Sequence, residues 1–202
     1  LLMEPLGMYS FLTGFFMVAG GIFGMHLGLS LHTEECTGNT AEYLYTKPCG
    51  RKQIYMGKLL CALAGICVTG IFYLATSFLT MTLFRFGFPI GEFFLVAGSF
   101  ILISLFFALL GLMVGIFHPN NRSPLLTAGL VVFVEYCITS FSRTVNIRAI
   151  GFLSPFSFFS PAEINNAGTY SWDYMLWYLL LLFGFALLAY WKILKRDIAL
   201  AV

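Results

Sequence analysis

Residues Phe93–Phe117 read Phe-Phe-Leu-Val-Ala-Gly-Ser-Phe-Ile-Leu-Ile-Ser-Leu-Phe-Phe-Ala-Leu-Leu-Gly-Leu-Met-Val-Gly-Ile-Phe, with no charged side chain among them. A helix rises about 1.5 Å per residue, and about 20 apolar residues cross a hydrocarbon core about 30 Å thick. Four other stretches share this character: Tyr9–Leu31, Leu59–Phe84, Pro124–Ser142 and Tyr174–Trp191. Lipid offers no partner to a bare backbone N–H or C=O, so each stretch is expected to bond internally, as a helix. A transmembrane barrel would instead show alternating segments of about ten residues. The expected fold is all-α, a polytopic helical membrane protein with five spans visible.

Composition agrees. The chain is 59% hydrophobic and 10% charged, with a mean hydropathy of +0.89, whereas a soluble domain carries about 25% charged residues. Glu135 is the only charge inside the five stretches. A net charge of +2 supplies no basic field for nucleic acid, and so apolar a chain does not stay disordered. Cys36, Cys49, Cys61, Cys67 and Cys137 show no metal-binding or C-x-x-C spacing, and the three histidines are scattered. Free thiols and no metal site are expected. The sequence contains no G-x-x-x-x-G-K-[ST] phosphate loop, nucleophile elbow or H-E-x-x-H motif. It therefore binds no ATP by that route and is not expected to be an enzyme.

Lys and Arg collect in short cytoplasmic loops. One side of the bundle receives Lys47, Arg51, Lys52, Lys58, Arg122, Lys192, Lys195 and Arg196; the other receives Arg85, Arg143 and Arg148. The Thr33–Lys58 loop, the His118–Ser123 loop and the C-terminus are accordingly expected in the cytoplasm. The first residues would then lie outside, although Leu1-Leu2-Met3-Glu4-Pro5 has no basic signal region. Either five spans are native, or a further span precedes these and the full protein has six with both termini inside.

The loop at 33–58 holds seven of the 20 charges. Asn39 and Glu42 fit a capping box, which predicts a short helix from about Thr40 to Thr46, ended before Pro48. Arg51–Lys58 is expected to begin a helix continuous with the second span. Such a loop could press a capped helix against a soluble partner, or could be a solvated connector.

The run Glu34-Glu35, Gly38-Asn39-Thr40-Ala41-Glu42-Tyr43-Leu44, Lys47-Pro48, Arg51, Ile54 and Gly57-Lys58 resembles the loop between spans two and three of bacterial ATP-binding-cassette permeases of the type-2 exporter class. Ser154-Pro155-Phe156, Phe159-Ser160-Pro161 and Lys195-Arg196-Asp197 are similar to that family as well. The resemblance implies a bacterial plasma-membrane permease with a cytoplasmic C-terminus and a coupling helix received by a separate ATPase subunit. Gly38, Thr40, Glu42, Leu44, Lys47, Pro48, Arg51 and Lys58 would serve that coupling. ATP and Mg would be bound by the ATPase, no cofactor by this chain. A second permease, a copy or a paralogue, would complete the exporter, among membrane lipids. The cargo would be amphipathic: an antibiotic, peptide, drug or lipid. Where the family usually has an acidic-basic pair before the glycine, this chain has Glu35-Cys36. Other readings are a self-contained channel or secondary transporter, or an intramembrane enzyme using Glu135.

Glu135 near the middle of the fourth span is costly, about 2.5–3.5 kcal/mol on insertion scales. It either lines a cargo or proton path, or is a neutral acid bonded to a neighbouring helix. His26 is the other intramembrane polar candidate, as a structural hydrogen bonder or a ligand. Gly20, Gly24 and Gly28 share one face, and Gly111 with Gly115 repeats the spacing; small residues so placed allow close helix approach. The outer segment 144–172 is expected to form one or two short interfacial or re-entrant helices, with a capping box at Ser160-Pro161-Ala162-Glu163. Trp172, Trp177 and Tyr178 are expected in an outer aromatic belt, with Trp191 at the inner end.

Overall fold

The computed structural model describes residues 5–37, 50–83, 87, 89–145 and 147–195. Apart from Phe84, which lies outside the described residues, each apolar stretch lies in one long helix: α1 (Pro5–Thr37), α2 (Arg51–Leu83), α3 (Ile90–Phe117), α4 (Pro124–Val145) and α8 (Trp172–Lys195). Among the described residues there is no strand. All five helices are long and apolar enough to cross a membrane. α2 begins at Arg51, as expected, well before the apolar part at Leu59. Between α4 and α8 come three short helices rather than one or two: α5 (Arg148–Gly151), α6 (Pro155–Phe158) and α7 (Pro161–Ala167).

α3 is the hub. In its most apolar stretch 61% is buried, against 11% in α8, and Phe93, Val96, Ala97, Ile103, Phe107 and Ala108 are sealed from solvent. A helix apolar on every side is one enclosed by others. α1, α2 and α8 pack directly on it, with α6 and α7, while α4 lies against α1.

Glycines set the α1–α3 separation. A Cβ on Gly28 would strike the Ala108 carbonyl and sit 2.6 Å from the Leu112 nitrogen. One on Gly24 would strike the Ser104 carbonyl, and one on Gly111 the Met25 carbonyl. Each helix thus presses its small residues into the other's backbone. Without a hydrophobic force between helices in lipid, such van der Waals contact is a principal source of association.

The short helices turn back into the bundle. The Phe156 ring lies 5.5 Å from that of Phe107 and 5.9 Å from that of Tyr136, both well inside long helices. Ser160 is the N-cap of α7 with Pro161 in its first turn, yet its hydroxyl makes no capping bond. The expected box is therefore not closed. The left-handed Gly168 (φ 66°) ends α7, its N–H donating to the Ile164 carbonyl at 2.8 Å, a usual glycine stop. At the start of α4, Ser123 contributes its carbonyl to Thr127 N–H (3.1 Å), and the side-chain bridge comes from Asn121 to Thr127 (2.9 Å).

Tyr178 departs from the expected belt. It is 1% exposed, donates to the Leu102 carbonyl at 3.0 Å, stacks on Phe106 and meets Phe159 edge-on. One helical face of α8 must meet α3, and Tyr178 is on it. Trp172, Trp177 and Trp191 are exposed, as belt residues should be.

Gly28→Val is expected to lower stability by at least the about 1–3 kcal/mol typical of overpacking. Gly14→Ala and Gly129→Ala, where nothing lies within 4 Å of the added carbon, should leave the melting temperature unchanged or raised. Thermal unfolding in detergent, followed by tryptophan fluorescence, distinguishes these outcomes; equal losses at all three positions would contradict the close-packing account.

Candidate functional site

Polar groups in the apolar bundle concentrate at three places: the end carrying the α1–α2 connection, the junction of α4 with the re-entrant helices, and the Tyr9–Thr13–Tyr73 hydroxyl cluster between α1 and α2; the first two hold the residues singled out from sequence. Of the loop residues singled out from sequence, Gly38, Thr40, Glu42, Leu44, Lys47 and Pro48 lie outside the described residues, as does the short helix expected there. Arg51 and Lys58 are described.

Lys58 is 6% exposed. Its Nζ donates to the Leu31 carbonyl at 2.8 Å and to His32 Nδ1 at 3.0 Å. Arg51 donates to the Leu194 carbonyl at 3.1 Å, and Tyr55 hydroxyl to the Ala186 carbonyl at 2.8 Å. The first two turns of α2 are thereby tied to α1 on one side and α8 on the other. His32 was not picked out from sequence, and Tyr55 was placed only near the membrane interface. The signal was present in α2, where Tyr55, Lys58, Ala62, Ile66, Gly70 and Tyr73 recur at helical spacing and are all buried.

Glu135 sits at the second place. Ser157 Oγ donates to Thr139 Oγ1 (3.4 Å), Thr139 to Ser154 Oγ (2.7 Å), and Ser154 to the Glu135 carbonyl (2.8 Å). Thr139 is 2% exposed and Ser154 is fully buried. Such a relay lets each hydroxyl donate once, and aligned bonds reinforce one another in a low dielectric. The carboxyl itself has Oε2 buried without a hydrogen-bond partner among the described residues. Further toward the surface, Tyr170 hydroxyl donates to the Leu95 carbonyl at 2.6 Å. Burial raises this phenol above its ordinary pKa, so it remains a neutral donor.

His26 lines a cleft of about 540 Å³ with Thr33, Glu34, Asn121, Arg122 and Leu125, between α1 and the start of α4. Its Nδ1 is buried without a partner among the described residues. His26 and Glu135 belong to separate surroundings, and no described contact joins them. His26 and Glu135 therefore do not form a facing pair among the described residues. No group of three metal-ligating side chains occurs among them either.

Ser154→Ala and Thr139→Val should each reduce stability by about 1–3 kcal/mol, since each leaves a buried polar neighbour unsatisfied. The double variant should lose less than the sum, because it removes both halves of one bond. Reversible denaturation of the four proteins in one detergent measures the cycle; strict additivity would refute the relay.

No curated protein and no solved structure matches the chain. A family model described as ABC-2 family transporter protein matches residues 6–198, nearly the entire length and all five long helices. With its apolar helices and membrane-embedded hub, the chain belongs to the ABC-2 transporter family, whose members are membrane transport subunits.

Proposed function

We propose that this chain is the permease subunit of an ATP-driven exporter, docking through the connection between α1 and α2 onto a cytoplasmic ATP-binding-cassette ATPase. The observation that carries this reading is the contrast between that connection and the rest of the chain. Seven of 20 charges fall in residues 33–58: Glu34 and Glu35 at the end of α1, Arg51, Lys52 and Lys58 at the start of α2, where both helices extend past their apolar stretches, and Glu42 and Lys47 between them. Family membership supports an ATPase partner in general terms. Gly38, Thr40, Glu42, Leu44, Lys47 and Pro48 form the docking element in this reading, with Arg51 and Lys58 at its base.

Two permeases, copies or paralogues, pair in a bacterial plasma membrane with C-termini in the cytoplasm, and each engages one ATPase. ATP and Mg bind the ATPase. Closure of the ATPases shifts the permeases between inward- and outward-open arrangements, which requires that the bound nucleotide interact differently with the two. An amphipathic cargo is the reading supported by the five apolar stretches, in which Glu135 is the only charged side chain.

Co-purification with a candidate ATPase tests the docking element. Glu42→Ala combined with Leu44→Asp should reduce association and ATPase stimulation at least tenfold, with the permease still folded by its melting temperature. Unchanged association and stimulation would refute the assignment.

A further inference from the structure

We propose that the seam between α2 and α8, at the end carrying the α1–α2 connection, binds an anionic phospholipid. Lys52 and Lys195 take its phosphate, and Met56, Leu187 and Trp191 take its chains. The seam's occupant does not depend on an ATPase, so the site stands apart from the docking element proposed above.

Three contacts fix the seam. Arg51 Nη1 donates to the Leu194 carbonyl at 3.1 Å, Tyr55 hydroxyl donates to the Ala186 carbonyl at 2.8 Å, and the Tyr55 and Tyr190 rings lie 5.6 Å apart. The pairing ascends α2 as it descends α8, so the two helices run antiparallel. With 3.6 residues per turn, the next residue along a helix lies about 100° further round it. In antiparallel neighbours that rotation carries the next residue of each helix to the same side of their contact. Lys52 follows Arg51 and Lys195 follows Leu194, which places two ammonium-bearing side chains astride one side of the seam. Met56 follows Tyr55, Leu187 follows Ala186 and Trp191 follows Tyr190, on that same side and further in from the end. All five residues are exposed.

This side has the chemistry of a headgroup boundary. No acidic residue occurs in α2, and the only one in α8, Asp173, stands at the opposite end. Lys195 Nζ lies 4.2 Å from the centroid of the Trp191 ring, a cation–π contact that holds the ammonium beside the indole. Tryptophan favours headgroup depth. Only 22% of the most apolar stretch of α2 and 11% of that of α8 is buried, so both helices offer apolar surface to acyl chains. A Lys or Arg at the membrane surface favours an anionic lipid about fivefold. Here two of them flank one seam, with the Arg51 guanidinium in the seam itself, and converge on one phosphate.

Trp191 reports on its own seam. The chain has three tryptophans, and Trp172→Phe with Trp177→Phe leaves Trp191 as the only fluorophore of that kind. In phosphatidylcholine vesicles its fluorescence should reveal brominated phosphatidylglycerol associating at least about fivefold more strongly than brominated phosphatidylcholine, the worth of one interfacial cation. Lys52→Gln with Lys195→Gln should bring the two lipids to parity. Lys192→Gln with Arg122→Gln removes equal charge from the same end, away from the seam, and should keep the preference. Glycerol 3-phosphate, which has the phosphate without the chains, should not reverse the quenching. Equal quenching by both lipids before the lysines are changed, parity in the charge-matched control, or reversal by glycerol 3-phosphate overturns the proposal. Weak quenching by both lipids would mean that a second copy of the chain covers the seam, and overturns it as well. An unchanged preference in the Lys52/Lys195 variant, with weaker ATPase association instead, assigns the lysines to a protein partner and overturns it too. Should that variant not fold, Lys52→Glu at its exposed position must alone reduce the preference, and an unchanged preference there counts equally against the site.

Discussion

Direct backbone contact between α1 and α3 is the constraint on which the remaining architecture depends. Gly24 and Gly28 approach the Ser104 and Ala108 carbonyls, and Gly111 approaches Met25. Helices this close leave no room for side chains between them, so larger residues are displaced to the flanks. Phe100 and Phe107 point past Gly20 and Gly21, where they meet Tyr73 of α2 and Phe156 of α6 respectively. The close pair thus dictates where α2 and the re-entrant helices can settle. α8 follows from the opposite face of α3, through Tyr178 against Phe106.

Around this apolar axis the polar groups fall into two classes. At the end carrying the connection, cationic side chains donate to the carbonyls of other helices: Lys58 to α1, Arg51 to α8. Bonds from charged donors are worth about 1.5–3 kcal/mol, and a buried ammonium deprived of its acceptors would be worse than no ammonium at all. At the re-entrant junction, neutral hydroxyls of Ser154, Thr139 and Ser157 bridge α4 to α6. Neutral bonds contribute about 0.5–1.5 kcal/mol each. The first class therefore makes the firmer joint.

Much of the fold was legible in the sequence because the bilayer imposes a length and a composition that a plain reading detects. Apart from Phe84, all five spans lie within long helices, and Arg51 does begin a helix continuous with the second span. The glycine face of α1 could be read from its four-residue spacing, and its partner from Gly111 and Gly115. Tyr178 was misplaced because an aromatic near a span end suits an interface equally well, and only the face it occupies on α8 decides. The closed capping box at Ser160 failed for a related reason: the motif fixes the N-cap position, but burial of α7 in the bundle decides where the hydroxyl points. Lys58 was grouped with loop charges by proximity in sequence. Its register with Ala62 and Ile66 places it instead on the buried stripe of α2.

A transport subunit needs some interfaces that stay shut and others that can part. Glycine-mediated contact suits the first, since its attraction falls steeply with separation and water gains no polar group when it opens. A hydroxyl relay suits the second, because water can take over each bond as the helices separate. The distribution in this chain follows that division. α1 and α3 meet through backbone and small residues, while α4 meets the re-entrant helices through Thr139, Ser154 and Ser157. Glu135 lies beside this second interface, with one carboxyl oxygen lacking a hydrogen-bond partner among the described residues. A buried carboxyl oxygen without a partner carries a desolvation cost that the surrounding apolar packing must offset.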